Sequence, residues 1–182
     1  ERVHLYEQPT GQFPHTPEPV RENLTELCEV VKQHKAAVGF AQDPDADRLA
    51  LVDEQGTYIG EEYTLALCAK AILRYQAGPL AANLSTSRMI DDVAKQAGQP
   101  VYRTPVGEAH VAAAMRAHQC VAGGEGNGGM IWPDVSYIRD SIVGMAWIID
   151  LLQSTETTLS EQVATLPRYT IVKEKLPFGA IR

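Results

Sequence analysis

A regular alternation of short apolar runs with helical patterns, between residues 80 and 122, most constrains the fold of this chain. Apolar runs typical of buried strands lie at 80–84, 100–103 and 120–122, and helical patterns lie at 86–97 and 108–118. Strands and helices that alternate at this spacing indicate an α/β fold, with a mixed, mostly parallel sheet flanked by helices. In such a sheet ligands meet the loops at the carboxyl ends of the strands, so we expect the functional residues there.

Further elements are predicted on both sides of this alternation. Helices are predicted at 19–33, 61–76, 140–153 and after Thr158, and strands at 36–41, 49–52 and 130–132. Thr158 and Glu161 have the spacing of a capping box, which predicts where the last helix begins. The Pro-rich residues 1–19 are expected to form an extended loop after a short strand at 3–6, and residues 169–173 to be extended and lead outward.

Composition and charge exclude several classes of protein. With 182 residues and 45% hydrophobic content, the chain can bury one comfortable core or two small ones. A formal net charge of -7 speaks against nucleic-acid binding, which needs clustered cations. The longest mainly apolar run, at 142–152, is shorter than the roughly 20 residues of a membrane span, so no membrane partner is expected.

The cysteines and the first residues indicate where such a protein would work. Cys28, Cys68 and Cys120 are widely spaced and form no C-x-x-C pair, which favours buried free thiols over a disulfide framework or a zinc site. The first residues show no Met, no basic region and no long apolar region of a signal peptide. We therefore expect a cytoplasmic protein and a segment cut from a longer chain.

Three aspartates directly follow the predicted strand 36–41 and suggest a metal site. Asp43, Asp45 and Asp47 occupy alternate positions, so their carboxylates would repel one another unless a cation lies between them. Hard oxygen ligands of this kind select Mg²⁺ or Ca²⁺. A solvated acidic turn is the simpler alternative, but such a turn does not require this strict spacing.

An EF-hand calcium loop is a competing interpretation, because Glu54 is the twelfth residue counted from Asp43. The sixth position of such a loop must be Gly for its sharp turn, and here it is Arg48. The flanking residues 38–41 and 49–52 also resemble strands, whereas an EF-hand loop lies between helices. The sequence therefore favours a metal loop between strands.

A glycine-rich segment at 123–129, Gly-Gly-Glu-Gly-Asn-Gly-Gly, forms a second candidate loop. Its last six residues match the G-x-G-x-x-G pattern of dinucleotide-binding proteins, but Pro133 opposes the helix that this motif requires. No Lys-Ser or Lys-Thr pair follows, which excludes a Walker A loop. The segment is interpreted either as a flexible turn or as a tight loop that holds Glu125 and Asn127 near the hydroxyls of a ligand.

Two more loops, at 84–88 and 104–108, open predicted helices. The amide end of a helix favours anions or hydroxyl-bearing ligands, although an ordinary capped helix start also explains each loop. The five histidines are scattered without partner spacing, so none is expected to be catalytic.

These loops, in this order, resemble those of the α-D-phosphohexomutase family, which includes phosphoglucomutase, phosphomannomutase and phosphoglucosamine mutase. Residues 43–48, Asp-Pro-Asp-Ala-Asp-Arg, resemble the family's Mg²⁺ loop; residues 104–107 resemble its Thr-x-Val-Gly loop, and residues 124–128 its sugar-recognition loop. Many relatives have Ser where this chain has Asn127 and His where it has Gly129, so a role of that histidine in proton transfer is not carried over. The glycine-rich loop is more similar to that of the archaeal-type branch of the family. This similarity does not identify which hexose is the substrate.

The resemblance implies a middle segment of a four-domain enzyme. Residues 1–57 correspond to the latter part of domain 2 with the metal loop, residues 58–168 to domain 3 with the sugar-recognition loop, and residues 169–182 to a connector toward domain 4. Neither the family's catalytic serine loop of domain 1 nor its phosphate-binding loop of domain 4 occurs in this sequence. The implied partners are domains 1 and 4 and a hexose phosphate substrate.

The reaction implied by the resemblance interconverts hexose 1-phosphate and hexose 6-phosphate through a phosphoserine enzyme and a bisphosphate intermediate. Asp43, Asp45 and Asp47 would hold Mg²⁺, which neutralises charge on the transferring group. Arg48 would be the catalytic residue that this chain contributes, as a cation beside the phosphoryl group. Because the serine is absent from the sequence, we expect the segment alone to be inactive.

The resemblance also implies the sugar contacts. Glu125 and Asn127 would exchange hydrogen bonds with sugar hydroxyls in either orientation of the substrate, with Gly107 and Glu108 as further contacts. Two other functions remain open at this point. One is a non-enzymatic calcium-binding module that adds Glu54 to the aspartates, and the other is an oxidoreductase that binds a dinucleotide at 124–129.

Overall fold

The computed structural model describes residues 2–170, which form six helices of the α type, one short 3-10 helix and six strands. In chain order these are the 3-10 helix (Arg21–Asn23), α1 (Thr25–His34), β1 (Val38–Gln42), β2 (Leu49–Asp53), α2 (Glu62–Ile72), β3 (Leu80–Asn83), α3 (Met89–Gln96), β4 (Val101–Thr104), α4 (Glu108–His118), β5 (Ala122–Glu125), β6 (Gly129–Ile131), α5 (Ser141–Thr155) and α6 (Leu159–Ala164).

The main sheet has four strands in the order β4-β3-β5-β6. Strand β3 pairs in parallel with both β4 and β5, and β6 runs antiparallel to β5. The predicted α/β fold with a mixed, mostly parallel sheet is therefore confirmed. Because β3, β4 and β5 are parallel, the three loops that follow them lie at the same edge of the sheet.

Helices cover both faces of this sheet, as the alternation of side chains along β3 shows. Leu80 and Ala82 face a core built with α2, α3 and α5, whereas Ala81 faces a smaller cluster built with α4. Helix α2 is buried over nearly its whole length, and this explains why its sequence is apolar on more than one face.

Strands β1 and β2 form a separate antiparallel hairpin, in the register Val38↔Asp53 to Gln42↔Leu49. Every residue of β2 is buried, which anchors the hairpin in the core. The backbone N–H of Leu49 donates to Gly128 O at 3.1 Å, and the Thr64 hydroxyl donates to Leu49 O at 2.7 Å. The start of β2 is thus bonded to the β5-β6 loop and to α2, so the loop between β1 and β2 lies beside the carboxyl edge of the main sheet.

The two helices near the carboxyl end begin as their sequences predict. Asp140 caps α5 by accepting hydrogen bonds from the backbone N–H groups of Ile142 and Val143. The capping box of Thr158 and Glu161 is present at the start of α6, as predicted. Both caps satisfy amide groups that the first turn of a helix leaves without a partner.

Several predicted boundaries are corrected. No strand forms at residues 3–6, where Tyr6 has a φ of 55° and the chain bends. The helix predicted at 19–33 is divided, because Leu24 leaves helical geometry between the 3-10 helix and α1. The strand predicted at 120–122 begins only at residue 122, since the Cys120 N–H still bonds Met115 O and closes α4.

The structure tests the predictions made for the cysteines and for membrane-spanning helices. All three thiols are free; Cys68 and Cys120 are buried as predicted, whereas Cys28 is only half-buried, which corrects the prediction for that residue. Among residues 2–170, no helix is both long enough and apolar enough to cross a membrane. Most of the predicted connector, from residue 171 onward, lies outside the described residues.

Candidate functional site

The loop between β1 and β2 brings the three predicted metal ligands together. One ligand oxygen from each of Asp43, Asp45 and Asp47 lies within 4.8 Å of the others. Asp43 is buried, Asp47 is half-buried and Asp45 is exposed, so the cluster opens to solvent on one side. A set of oxygen ligands at this spacing fits a hard divalent cation such as Mg²⁺ or Ca²⁺.

Local hydrogen bonds give the loop its shape. Asp43 Oδ1 accepts the backbone N–H groups of Asp47 at 3.1 Å and Arg48 at 3.0 Å, which folds the loop around the first carboxylate. Ala46 takes a left-handed conformation with a φ of 59°, which is uncommon for a residue with a side chain. This turn directs the alternate aspartates toward one point.

The electrostatic balance of the cluster differs between its first and last carboxylates. Burial would raise the pKa of Asp43, but hydrogen bonds from the Arg48 backbone and guanidinium outweigh it and hold that pKa below its usual value. Burial and the neighbouring charges of Asp43 and Asp45 raise the pKa of Asp47. The charge of Arg139 opposes this rise in the pKa of Asp47 but does not offset it.

Ser141, the first residue of α5, is hydrogen-bonded to the backbone of the metal loop. Its hydroxyl donates to Ala46 O at 2.6 Å and accepts from Gln42 Nε2 at 2.6 Å, and its backbone N–H donates to Ala46 O at 3.3 Å. The residue is 1% exposed. Two hydrogen bonds from the buried serine therefore hold the left-handed turn at Ala46, and the third joins the serine to Gln42.

Glu125, at the end of β5, is the most enclosed of the predicted sugar contacts, at 6% exposed. Its Oε1 accepts from Asn83 Nδ2 at 2.6 Å and from the Gly107 backbone N–H at 3.2 Å. Its Oε2 accepts from Arg139 Nη1 at 2.9 Å. The end of β3, the loop after β4 and Arg139 thus converge on one carboxylate at the carboxyl edge of the sheet.

Asn83 is a site residue that the sequence did not reveal. It ends β3, and the hydroxyls of Ser85 and Thr86 both donate to its Oδ1, at 3.0 and 2.7 Å. These bonds orient the amide so that its N–H₂ group faces Glu125. An isolated asparagine at the end of a predicted strand gives no sequence signal, because its partner is 42 residues away.

The rest of the glycine-rich loop is a tight turn between antiparallel strands. Asn127 is half-buried, and its Oδ1 accepts the Gly129 N–H at 3.2 Å. Gly128 has a φ of 90°, and a Cβ at that position would lie 2.6 Å from Leu49 O. Glycine is required here because the loop passes directly against the start of β2.

Arg139 joins the two candidate loops, and the sequence did not single it out. Its guanidinium pairs with Glu108 Oε2 at 2.8 Å, with Glu125 Oε2 at 2.9 Å and with Asp47 Oδ2. Its backbone N–H also donates to Glu108 Oε2 at 3.2 Å. Arg139 precedes a helix and belongs to no motif, so only the folded chain shows that it contacts acidic residues of the β1-β2 loop, the start of α4 and the end of β5.

The other predicted site residues lie in the same region. Arg48 Nε pairs with Asp43 Oδ2 at 2.5 Å and lies 3.7 Å from Asp47 Oδ1. Burial would lower the pKa of Arg48, but the bond with Asp43 and the surrounding carboxylates raise it, which keeps the guanidinium charged. Gly107 and Glu108 contribute through their bonds to Glu125 and Arg139.

The geometry does not favour the two alternative functions. Glu54 accepts hydrogen bonds from the backbone and the hydroxyl of Ser160, and it is not part of the aspartate cluster. Residues 124–129 form the end of β5, a turn and the start of β6, and the next helix, α5, begins only at Ser141. A calcium loop of the EF-hand type and a dinucleotide-binding turn both need a different local structure.

Comparison with known proteins identifies the surrounding fold. Residues 60–169 match the family model described as "Phosphoglucomutase/phosphomannomutase, alpha/beta/alpha domain III". Residues 1–56 match the model of domain II of the same family. A protein named "Probable phosphoglucosamine mutase" in Methanopyrus kandleri is 42% identical over 176 residues, which are 96% of this chain and 39% of that protein.

Solved structures give the same family. The crystal structure of a phosphoglucomutase/phosphomannomutase family protein from Burkholderia thailandensis superposes with a TM-score of 0.75 and 26% identity, over 86% of this chain and 34% of that one. The Aspergillus fumigatus N-acetylphosphoglucosamine mutase in complex with GlcNAc-6P and magnesium has a TM-score of 0.56 and 17% identity, over 77% of this chain and 36% of that one. At that identity the second likeness shows the fold alone. The chain spans about 39% of the length of the curated relative described above.

Proposed function

We propose that this chain, which belongs to the phosphoglucomutase/phosphomannomutase family, is the metal- and sugar-binding middle part of a Mg²⁺-dependent phosphohexomutase. The single observation that carries the proposal is the contact between the aspartate loop and the glycine-rich loop. Asp47 of the first and Glu125 of the second pair with the same guanidinium, that of Arg139. A cation site and a hydroxyl-binding carboxylate that share one edge of a sheet suit a phosphorylated sugar.

The domain assignment follows the resemblance stated above. Residues 1–57 would be the latter part of domain 2, residues 58–168 domain 3, and residues 169–182 the connector toward domain 4. The matched family models and the share of the relative's length that the chain spans support this assignment. Domains 1 and 4, with the phosphoserine and the phosphate-binding loop, would belong to the same cytoplasmic enzyme.

The metal loop would act on the phosphoryl group. Asp43, Asp45 and Asp47 would hold Mg²⁺, which when bound neutralises charge on the transferring phosphoryl group. The all-oxygen ligand set supports this choice of metal. Arg48, kept charged by its carboxylate partners, would place a second positive charge beside the same group.

Glu125 is proposed as the main sugar ligand because its carboxylate keeps one acceptor position that no group of the protein occupies in the described residues. A carboxylate offers about four acceptor positions. Asn83, Gly107 and Arg139 occupy three of these on Glu125, so one position on Oε2 is left for a sugar hydroxyl. Asn127 would donate its amide N–H₂ to a neighbouring hydroxyl, and Glu108 would act through Arg139.

The proposal is tested with the intact protein that contains this segment. ³¹P NMR would follow the conversion of the 1-phosphates of glucose, mannose and glucosamine to their 6-phosphates, with and without Mg²⁺. We expect Mg²⁺-dependent conversion of at least one of them, lost in Asp45→Ala and retained in the exposed control Asp134→Ala. An intact wild-type protein that converts none of these sugars, or turnover by residues 1–182 alone, would contradict the proposal.

A further inference from the structure

We propose that Arg139 is a positioning residue that orients Glu125 and partly neutralises the negative charge of the metal loop. We also propose that glycine is required at position 129 because a side chain there would overlap that of Arg139. This inference rests on the proposed function, because it assigns Arg139 a role in the same metal and sugar site. It goes beyond that function in naming a residue outside the motifs and in predicting how the two loops depend on each other.

The contacts of Arg139 support a positioning role. Its side chain is 18% exposed, and its three nitrogens each pair with a different carboxylate, those of Glu108, Glu125 and Asp47. Without it, three acidic groups would remain close together in a partly buried site, where like charges are costly. The planar fork of arginine can satisfy them at once, which the point charge of a lysine cannot.

Position 129 supplies an independent observation. A Cβ built on Gly129 would overlap Arg139 Cδ and lie 3.0 Å from Arg139 Cγ. The backbone of Gly129 is not among those with a positive φ, so its own conformation does not require glycine. The absence of a side chain at 129 is therefore explained by the stem of Arg139, which lies across it.

The two roles have effects of opposite sign. Arg139 holds Oε2 of Glu125, so its removal frees the carboxylate to rotate and weakens sugar binding. Arg139 also places a positive charge on Asp47, so its removal makes the aspartate loop more negative and strengthens cation binding. A residue that merely stabilised the fold would, on removal, weaken both kinds of binding together.

The experiment uses the intact protein and the variants Arg139→Gln, Arg139→Lys, Gly129→Ala and the double variant Gly129→Ala/Arg139→Gln. Arg116→Gln is the matched control. The Arg116 guanidinium stacks 4.1 Å from the ring centroid of Tyr137, a residue close in sequence to Arg139, but Arg116 lies outside the carboxylate cluster. Calorimetry measures two dissociation constants without turnover, one for Mg²⁺ alone and one for glucose 6-phosphate alone. Thermal unfolding checks that each variant is folded.

For Arg139→Gln we expect glucose 6-phosphate to bind about 10- to 100-fold more weakly, the effect of losing a charge-assisted hydrogen bond that orients a ligand. Mg²⁺ should bind about 3- to 10-fold more tightly, because a neighbouring positive charge is gone. Arg139→Lys should keep the wild-type affinity for Mg²⁺ and lose affinity for the sugar phosphate, since it retains the charge without the fork. Arg116→Gln should change neither constant.

The variants at position 129 test the explanation of the glycine. Gly129→Ala should displace Arg139 and weaken sugar-phosphate binding nearly as much as Arg139→Gln. In the double variant the alanine should add less than about 2-fold, because the side chain that it displaces is already gone. Effects that multiply would overturn the assignment of the glycine.

The role of Arg139 would be overturned if Arg139→Gln bound the sugar phosphate within 2-fold of the affinity of Arg116→Gln. It would also be overturned if Arg139→Gln bound Mg²⁺ as tightly as the wild type or more weakly. These failures differ from failure of the proposed function. In that case the wild-type protein itself would bind no hexose phosphate or convert none, before any variant is compared.

Discussion

Ser141→Ala is the substitution whose effect on the metal loop is best defined by the structure. The change removes one hydroxyl that donates to Ala46 O and accepts from the Gln42 amide, both at 2.6 Å. The exposed Gln42 amide regains a bond to water, and Ala46 O keeps only the longer bond from the Ser141 N–H at 3.3 Å. The net loss therefore corresponds to one or two hydrogen bonds, about 1–2 kcal/mol of unfolding free energy.

Urea denaturation and thermal unfolding of the chain measure this loss. For a protein of this length, 1–2 kcal/mol lowers the melting temperature by about 2–8 °C. The stabilisation that Mg²⁺ provides should also shrink, because the turn at Ala46 must be ordered again when the ion binds. Ser154→Ala is the matched control in the same helix; that serine is exposed, and its hydroxyl makes only a 3.4 Å bond to Leu151 O.

Ser154→Ala should change the unfolding free energy by less than about 0.5 kcal/mol, as is usual for exposed positions. The reasoning would be refuted if Ser141→Ala were no more destabilising than Ser154→Ala. It would also be refuted if Ser141→Ala lowered stability but left the response to Mg²⁺ intact, because the serine would then support the helix and not the loop.

Three further predictions concern the sugar loop, the last helix and the thiols. In the intact enzyme, Glu125→Ala should lower kcat/KM about 30- to 1000-fold, whereas Asn127→Ser should retain more activity; near-normal kcat/KM of Glu125→Ala on every hexose phosphate would contradict the role of the loop. Thr158→Ala should cost about 1 kcal/mol in urea denaturation, because it removes the side chain that caps α6, and an unchanged midpoint would contradict this. Under native conditions a thiol reagent should label Cys28 but not Cys68, whose pKa is raised by complete burial; equal labelling rates would contradict the structure.

The parts of the fold that the sequence predicts are those encoded over short distances. Helix α4 matches its predicted bounds because its apolar spacing and its flanking residues are local signals. The short strand predicted at 3–6 fails because an apolar pattern does not show whether a neighbouring strand is available to pair with. Strand β5 begins later than predicted because the end of α4 competes for the same backbone groups.

The residues of the candidate site also divide into those predictable from local sequence and those set by the tertiary structure. Asp43, Asp45 and Asp47 can be predicted because they follow one another in a single loop. Asn83 and Arg139 cannot, since they lie 42 and 14 residues from Glu125 in the sequence and neither has a motif around it. Electrostatic partners of this kind are selected by the tertiary structure, which brings the ends of β3 and β5 and the start of α5 together.

The central claim, that the aspartate loop holds Mg²⁺, is tested most directly by calorimetric titration of this chain with Mg²⁺. We expect weak, millimolar-range binding in the wild type, because the phosphoserine oxygen that would complete the ligand shell is proposed to come from domain 1. Asp134→Ala should bind equally well, and Asp45→Ala should show no binding. Binding by Asp45→Ala with the wild-type affinity, or Ca²⁺ strongly outcompeting Mg²⁺ in the wild type, would contradict the account.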